Sequence, residues 1–384
     1  KELELYIHIP FCVRKCSYCD FLSAPATEQT REAYMAALFA EIGGRAKDYS
    51  DRTVTSIFIG GGTPSLLSGE QIGQLMDRIR EQFAMAQDAE ITMEVNPGTA
   101  SAEKLRNFYT AGINRLSIGM QSAQAEELKN LGRIHDFEGF CQVYREAVEA
   151  GFTNINVDIM SGLPGQTLAS YRDTLEKVLH LEPMPQHISA YSLIVEEGTP
   201  FAAMAERGEL PLPEEETERA MYEETIEVLA KYGFHRYEIS NYARDGYECR
   251  HNVGYWIRRD YLGFGIGAAS LIDNVRFQNE KSLGAYLAHP LESREEEQTL
   301  TVQDRMEETM FLGLRLTRGV SCVDFAEQYG RTVEEVYGEV IARNVADGLL
   351  TVTERKENQK KDRLLALTKR GLDLSNYVMA QFLF

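Results

Sequence analysis

The chain has 384 residues, and its 43% hydrophobic content can fill the core of one large domain and a smaller one. Its net charge of −19 argues against DNA, RNA or an anionic membrane as the main partner. No apolar run approaches the roughly 20 residues that span a membrane, and no targeting segment precedes the first predicted strand, so we expect a cytoplasmic protein.

The first predicted strand, residues 3–9, leads into three cysteines spaced C-x3-C-x2-C: Cys12, Cys16 and Cys19. Thiolates hold iron–sulfur clusters, normally four to a cubane, so three in one short loop leave one iron open to a substrate. An odd number of closely spaced cysteines argues against disulfides. A zinc site completed by His8 is the alternative, but His8 lies within the strand, which favours the cluster.

Strand-like and helix-like segments alternate from this strand through residue 232. Predicted strands cover residues 3–9, 54–59, 91–95, 115–118, 155–159 and 187–193, and predicted helices cover 30–42, 69–83, 102–109, 137–150, 168–181 and 214–232. Ser68 and Gln71 fit a capping box, and Gly112, Gly151 and Gly233 follow helix ends, where a left-handed residue is favoured. Six β-α units with apolar strands predict a parallel sheet covered by helices, and they are too few for a closed eight-stranded barrel.

Polar and glycine-rich residues follow the carboxyl ends of these strands, where a barrel carries its active site. They include the run Gly60–Thr63, then Glu94, Gln121 and Asp158. Glycines let backbone approach a ligand closely, although three glycines after a strand are also an ordinary turn. A carboxylate and an amide suit ribose hydroxyls, although each is also an ordinary polar residue of a barrel rim.

The residues from about 298 onward predict a small separate domain. Helical patterns at 303–316, 322–329 and 333–347 lead into a hairpin of 349–353 with 364–367, with a basic turn at 355–361 and a last helix from about 368. This order resembles a winged helix. Fold alone does not imply DNA binding, so a lid over the open barrel or a docking face for an acceptor protein is the better interpretation. The predicted units are therefore a barrel at 1–240, a connecting segment at 241–297 and this domain at 298–384.

The cysteine spacing resembles the signature of the radical S-adenosylmethionine (SAM) superfamily. That resemblance implies a 4Fe–4S cluster on Cys12, Cys16 and Cys19, SAM on the open iron, and an α/β fold of the three-quarter (β/α)6 barrel type. Further segments resemble the oxygen-independent coproporphyrinogen III oxidase-like family over residues 4 to about 270. These segments are 6–12, 60–65, 94–98, 114–122, 158–166 and 262–270. The family resemblance implies SAM contacts at Tyr6, Tyr18, Gly61, Gly62, Thr63, Glu94, Gln121, Arg133, Asp158, Ala190 and Ala269.

Two branches of that family differ at two markers. The enzyme branch decarboxylates coproporphyrinogen III and carries another cysteine two residues after the third, where this chain has Phe21. The heme-chaperone branch carries His-Asn-x-x-Tyr-Trp, which matches residues 251–256 here. Both markers favour the chaperone. The resemblance then implies that the histidine of this motif holds heme iron.

The motif fits a heme site chemically, because imidazole is a common axial ligand and aromatic rings pack on porphyrins. We therefore expect His251 to ligate heme, Tyr255 and Trp256 to shape the pocket, and Cys249 to be a possible second ligand. The alternative is that His251 is a structural histidine and the two aromatic residues belong to the core. Two further cysteines, Cys141 and Cys322, are interpreted as structural.

The sequence thus predicts a radical SAM protein that binds heme and delivers it to an acceptor protein. An electron donor for the cluster is implied, nucleic acid is not expected, and a homodimer stays open. The alternatives are an oxygen-independent coproporphyrinogen III dehydrogenase and a radical SAM methyltransferase on the same scaffold.

Overall fold

A computed structural model describes residues 1–357 and 360–384 of the chain. The strands are β1 Glu2–Ile9, β2 Thr53–Gly61, β3 Ala84–Val95, β4 Arg115–Gln121, β5 Ile155–Ser161, β6 His187–Ser192, β7 His235–Arg236, β8 Asn241–Ala243, β9 Tyr261–Phe264, β10 Ala269–Ile272, β11 Val275–Asn279, β12 Arg294–Thr299, β13 Val320–Ser321, β14 Leu350–Glu357 and β15 Lys360–Leu367. The helices are α1 Glu28–Arg45, α2 Gly69–Gln82, α3 Ala102–Thr110, α4 Ala125–Leu131, α5 Phe137–Ala150, α6 Leu168–Leu179, α7 Pro200–Glu206, α8 Glu215–Lys231, α9 Arg250–Trp256, α10 Leu283–Ala288, α11 Val302–Gly313, α12 Cys322–Tyr329, α13 Val333–Ala346, α14 Lys369–Asp373 and α15 Ser375–Ala380.

Strands β1 to β6 pair in parallel and in chain order, which is the predicted open barrel. Alternate side chains of each strand point to opposite faces. In β1, Leu3, Leu5 and Ile7 are fully buried within the main hydrophobic core. Their neighbours Glu4 and Tyr6 belong to the other face, which is the polar interior of the barrel. The barrel does not close, because β1 continues to β9 and β6 continues to β8.

Local sequence signals predicted most of the strands and helices of the barrel. The capping box of Ser68 and Gln71 starts α2, and Gly112, Gly151 and Gly233 all have positive φ, as predicted. Strand β3 is longer than the predicted 91–95, since it begins at Ala84 and pairs with the start of β2. Its first half, residues 84–89, is rich in alanine and mostly exposed or half-buried, so it lacks the run of large apolar residues by which a buried strand is predicted.

Residues 235–299, which include the predicted connecting segment 241–297, add strands to both edges of the barrel sheet. Strands β9 to β12 extend it beyond β1, while β8 and β7 extend it beyond β6. None of these short strands was predicted from the sequence. The boundaries at residues 240 and 297 stay predictions.

The C-terminal part contains α11 to α15 and a three-stranded sheet in the order β13-β15-β14. It has a second hydrophobic cluster that includes Met310, Phe325 and Tyr337. The tip of the predicted turn 355–361, at residues 358–359, lies outside the described residues. Glu308 of α11 joins this part to the barrel side through ion pairs with Arg258 (2.9 Å) and Arg276 (2.6 Å).

Across the described ranges, we find no helix whose length and apolar character would let it cross a membrane.

Candidate metal and cofactor site

The cysteine loop is fastened to the carboxyl end of the barrel by backbone hydrogen bonds. The amide of Cys12 donates to Ala24 O (3.2 Å), and the amide of Ser17 donates to Leu131 O (3.1 Å). The amide of Thr63, after β2, donates to Phe11 O (2.7 Å). Cys12, Cys16 and Cys19 are all half-buried free thiols. The loop is therefore held in place by the barrel and not by the cysteines alone.

Two side chains donate hydrogen bonds to the thiols. Thr63 Oγ1 donates to Cys12 Sγ over 3.5 Å, and Arg133 Nη1 donates to Cys16 Sγ over 3.8 Å. Partial burial raises the pKa of the Cys19 thiol, and the nearby sulfurs of Cys16 and Cys12 raise it further. Three thiols with cationic and hydroxyl donors beside them suit a ligand set that must carry thiolate charge.

No group of three or more His, Cys, Asp or Glu side chains within residues 1–357 and 360–384 is arranged to hold a metal ion. His8, the fourth ligand of the zinc alternative, is engaged elsewhere. Its Nδ1 lies 3.0 Å from Tyr6 Oη, and its Nε2 lies 2.8 Å from Leu22 O, so both ring nitrogens are already engaged. The three thiols instead share the wall of one cavity, which fits a cluster better than a single ion.

This cavity has a volume of about 440 Å³ and opens at the carboxyl ends of the strands. It brings together eleven of the predicted site residues: Cys12, Cys16, Tyr18, Cys19, Gly61, Gly62, Thr63, Glu94, Gln121, Arg133 and Asp158. Its volume lies within the range of about 300–1,000 Å³ that is usual for small-molecule sites. Residues far apart in the sequence thus form one site large enough for a cofactor.

The glycine run after β2 allows the backbone to approach this cavity closely. Gly61 has φ +113°, which side chains other than glycine rarely adopt. A Cβ atom at Gly62 would lie 2.7 Å from Phe11 O in the cysteine loop. The Gly61 amide donates to Glu94 Oε2 over 3.0 Å. Glycine is therefore required here by backbone geometry and by contact with the cysteine loop.

Two carboxyl groups line the cavity floor. Burial raises the pKa of Glu94 to about 8, and the nearby carboxyl of Asp158 adds to the increase. Burial also raises the pKa of Asp158, although hydrogen bonds from Asn156 (2.7 Å) and Ser117 (3.3 Å) oppose the shift. Two buried carboxyl groups with raised pKa values in one cavity are typical of a binding or catalytic site.

Gln121 ends β4 in a left-handed conformation with φ +69°, beside a register shift between Gly119 and Gln121. A bulge of this kind re-aims a side chain. Gln121 Oε1 accepts a hydrogen bond from Tyr191 Oη over 3.0 Å, and Tyr191 also lines the cavity. Tyr191 was not among the predicted SAM contacts. The two-residue period of β6 was the available signal, since Ser189 and Tyr191 share the face that points into the barrel.

Three predicted SAM contacts do not line the cavity. Tyr6 lies deeper in the barrel and is stacked on Phe58, with ring centroids 6.5 Å apart. Ala190 packs against the main hydrophobic core, and its amide donates to Ser240 O (2.9 Å). Ala269 is exposed on β10. Their roles stay predictions.

His251 lies at the amino end of the barrel, away from the cysteines. The motif therefore does not lie beside the open cavity at the carboxyl ends of the strands. Helix α9 lies across the amino end of the barrel and contacts β2 and β3. The amide of His251 donates to Glu90 Oε1 of β3 over 3.1 Å. The imidazole is 1% exposed, with Nδ1 2.8 Å from Ser56 Oγ and Nε2 3.0 Å from Tyr255 Oη. In this conformation neither nitrogen is free to bind iron.

Cys249, the second ligand considered, is also sequestered at this end. It is fully buried, its Sγ lies 3.5 Å from Glu90 Oε1, and burial raises the pKa of its thiol to about 12. A protonated, inaccessible thiol is a poor metal ligand. Trp256 alone of the motif's aromatic residues reaches a second cavity, between α9 and the C-terminal part.

Comparison with known families gives two matches. Residues 6–178 match the Radical SAM superfamily, and residues 300–374 match the HemN C-terminal domain.

Similar proteins are found over nearly the whole chain. The heme chaperone HemW of Bacillus subtilis is 38% identical, over 98% of this chain and 98% of that protein. The heme chaperone HemW of Escherichia coli is 37% identical, over 91% of this chain and 92% of that protein. Among solved structures, coproporphyrinogen III oxidase (HemN) from Escherichia coli, a radical SAM enzyme, superimposes with a TM-score of 0.85 at 28% identity, covering 99% of this chain and 89% of that one.

Proposed function

The chain belongs to the family of the heme chaperone HemW, within the radical SAM superfamily, and we propose that it binds a 4Fe–4S cluster, SAM and heme and delivers heme to an acceptor protein. The observation that carries this proposal is full-length similarity to proteins named heme chaperone HemW. The residue at position 21 supports it, because Phe21 stands where the enzyme branch has a further cysteine. Phe21 is 60% exposed at the mouth of the thiol-lined cavity.

We assign the cluster to Cys12, Cys16 and Cys19. When bound, the cluster supplies one electron for the reductive cleavage of SAM. The chain's own residues prepare that site: Thr63 and Arg133 donate to the sulfurs of Cys12 and Cys16. Hydrogen bonds to the ligating sulfurs are one of the means by which a protein tunes an iron–sulfur cluster.

SAM binding is assigned to the remaining wall of the same cavity. Arg133 has a buried Nε with no hydrogen-bond partner among the described residues, which leaves a donor for a carboxylate. Glu94 and Gln121 offer oxygens for ribose hydroxyls, and the backbone at Gly61 and Gly62 leaves room for the ligand.

The setting proposed for this activity is the cytoplasm, and the partners are an electron donor for the cluster and a heme-accepting protein. The charge of −19 gives no support to nucleic acid as a partner. A homodimer is compatible with these assignments and is not required by them.

The experiment is anaerobic reconstitution of the cluster followed by titration with heme and, separately, with coproporphyrinogen III. Stoichiometric heme binding without decarboxylation supports the chaperone function. Formation of protoporphyrinogen IX at more than a trace rate would instead establish the coproporphyrinogen dehydrogenase. Methyl transfer from SAM to an added substrate would point to the methyltransferase alternative.

A further inference from the structure

A chain of hydrogen bonds runs through the barrel interior from the floor of the thiol-lined cavity to helix α9. It begins at Asp158, whose Oδ1 accepts from Asn156 Nδ2 over 2.7 Å. Asn156 Oδ1 lies 2.6 Å from His187 Nδ1, and His187 Nε2 lies 2.8 Å from Tyr237 Oη. The Tyr237 hydroxyl then accepts from the amide of Cys249, the residue before α9, over 3.2 Å. The chain therefore joins the end of the barrel where the cavity opens to the opposite end.

These side chains meet because the strands that carry them are neighbours. Asn156 and Asp158 are two residues apart on β5 and share the face that points into the barrel. His187 starts β6 and is the register partner of Asn156. Asn156, His187 and Tyr237 are all buried, so a lost hydrogen bond is not readily replaced by water.

The donors of this chain all point towards Asp158. Burial lowers the pKa of His187 well below its usual range, and the nearby guanidinium of Arg115 adds to the decrease. The imidazole is therefore neutral, with one nitrogen that donates and one that accepts. If Tyr237 donates to Nε2, then Nδ1 donates to Asn156 Oδ1 and the amide nitrogen is left to donate to Asp158. The reverse direction would set the amide oxygen of Asn156 against a carboxylate.

His187 is the group that holds the Asn156 amide in this orientation. Ser189 Oγ also lies near Asn156 Oδ1, at 3.1 Å, but it is closer to Asn241 Oδ1, at 2.7 Å. A hydroxyl has one proton to donate, so the imidazole at 2.6 Å is the main donor to Asn156 Oδ1. Without that donor the amide is free to turn over and present its oxygen to Asp158.

We propose that His187 and Tyr237 are positioning residues for SAM, which hold the Asn156 amide so that it fixes the carboxylate of Asp158 for the ligand. This inference rests on the proposed function, which places SAM in the cavity that Asp158 lines. Asp158 Oδ2 has a longer contact, 3.3 Å from Ser117 Oγ, and so keeps capacity to accept from a ribose hydroxyl. The last link, Tyr237, ties this arrangement to the helix that carries the histidine motif.

The test measures SAM affinity by equilibrium dialysis with the full, anaerobically reconstituted protein. In His187→Asn the amide nitrogen takes the place of Nδ1 and still donates to Asn156, so SAM binding should weaken by less than about threefold. In His187→Gln the amide takes the place of Nε2 and the donor to Asn156 is lost, so SAM binding should weaken about tenfold. Glutamine fills the site better than asparagine, so a role in packing alone would give the opposite order.

Tyr237→Phe tests the far link, because it removes one hydroxyl and keeps the ring. It takes away the donor to His187 Nε2 and should weaken SAM binding about threefold to fivefold. Tyr171→Phe is the matched control and should bind SAM as wild type does. Tyr171 is also buried, and its Oη lies 2.6 Å from Thr225 Oγ1 on α8, outside the barrel interior. Iron content and melting temperature establish that each variant is folded.

Asp158→Ala provides the final comparison. It should weaken SAM binding by itself, and the addition of His187→Gln should then have no further effect, because the chain acts through Asp158. Equal or reversed affinities of the two His187 variants, additive effects, or wild-type affinity in Tyr237→Phe or Asp158→Ala would overturn the inference while leaving SAM in the cavity. Absence of SAM binding in wild type would instead remove the proposed function. If neither His187 variant folds, Tyr237→Phe decides the question.

Discussion

The imidazole of His251 on α9 is held 2.8 Å from the hydroxyl of Ser56 on β2. Because the Ser56 side chain points into the barrel, this contact holds α9 inside the amino end of the barrel, opposite the cysteines. Phe58 adds a ring contact with His251 at 5.4 Å between centroids. The histidine by which the sequence favours a heme protein thus acts within the fold as a structural anchor.

Replacement of that anchor should reduce stability. We predict that His251→Ala lowers the free energy of unfolding by about 2–4 kcal/mol, because it leaves a cavity and removes partners from Ser56 and Tyr255. Chemical denaturation measures this directly. The iron content should not change, since the cysteines lie at the other end of the barrel. Loss of the heme spectrum at unchanged stability would contradict an anchoring role and indicate direct ligation.

The buried groups beside His251 predict a pH dependence of stability. Burial raises the pKa of Glu4 to about 8, with Arg259 opposing the shift, and burial lowers the pKa of His251 to about 3. A carboxyl with a raised pKa binds a proton in the native state and releases it on unfolding, so its contribution falls as pH rises towards 8. A histidine with a lowered pKa takes up a proton only on unfolding, so its contribution is lost below about 6.5.

Glu4→Gln should therefore flatten the loss of stability between pH 6.5 and 8 by up to about 1.4 kcal/mol per pH unit. Glutamine keeps an oxygen that can accept from Arg259, whose Nη1 lies 3.1 Å from Glu4 Oε1. Glu2→Gln is the matched control, because Glu2 is an exposed partner of the same arginine. Denaturation of cluster-free protein at the two pH values provides the measurement. Equal slopes in wild type and Glu4→Gln would show that Glu4 is ionised in the fold.

Most of the barrel could be predicted from the sequence because its signals are local. Apolar strands, the Ser68 capping box and glycines after helix ends each depend on a few neighbouring residues. The short strands β7 to β12 carry no such signal. Their pairing is set by the free edges of the barrel sheet, which form only when the chain is folded.

Most of the cavity that holds the cysteines could also be predicted from the sequence, because barrel topology decides which residues meet. Residues after the strands of a barrel meet at one end, so Glu94 and Asp158 could be grouped with the cysteines without any contact being known. The position of α9 follows no such rule. Nothing local distinguishes a histidine beside the open cavity from one that anchors a helix at the opposite end, so the sequence alone could not place His251.

The cluster assignment predicts about four iron and four sulfide ions per chain after anaerobic reconstitution. Cys16→Ala should abolish the cluster absorbance, because each of the three thiols ligates one iron. Cys141→Ala, at a half-buried free cysteine on α5, should retain it. Stoichiometric zinc without sulfide in protein purified without oxygen would contradict the assignment.

The branch assignment predicts no decarboxylation of coproporphyrinogen III, even with a reduced cluster and added SAM. The reason is Phe21, which replaces the further cysteine of the enzyme branch. Chromatography of the porphyrin products after oxidation measures the conversion. Release of 5′-deoxyadenosine is compatible with this result, because the proposed SAM contacts are present. The Escherichia coli enzyme that superimposes on this chain is the natural positive control.

Arg133 links the cysteine loop to the proposed SAM site, and its replacement should affect SAM more than the fold. Its Nη2 donates to Gly119 O over 2.7 Å and its Nη1 to Cys16 Sγ, while Nε has no hydrogen-bond partner in the part of the chain that the structure describes. We predict that Arg133→Gln weakens SAM binding about tenfold or more, because a charge-assisted hydrogen bond to the carboxylate is lost. Equilibrium dialysis with the reconstituted protein measures this, and Arg145→Gln on the exposed face of α5 is the control. Unchanged SAM affinity in Arg133→Gln, at equal iron content, would move the carboxylate contact elsewhere in the cavity.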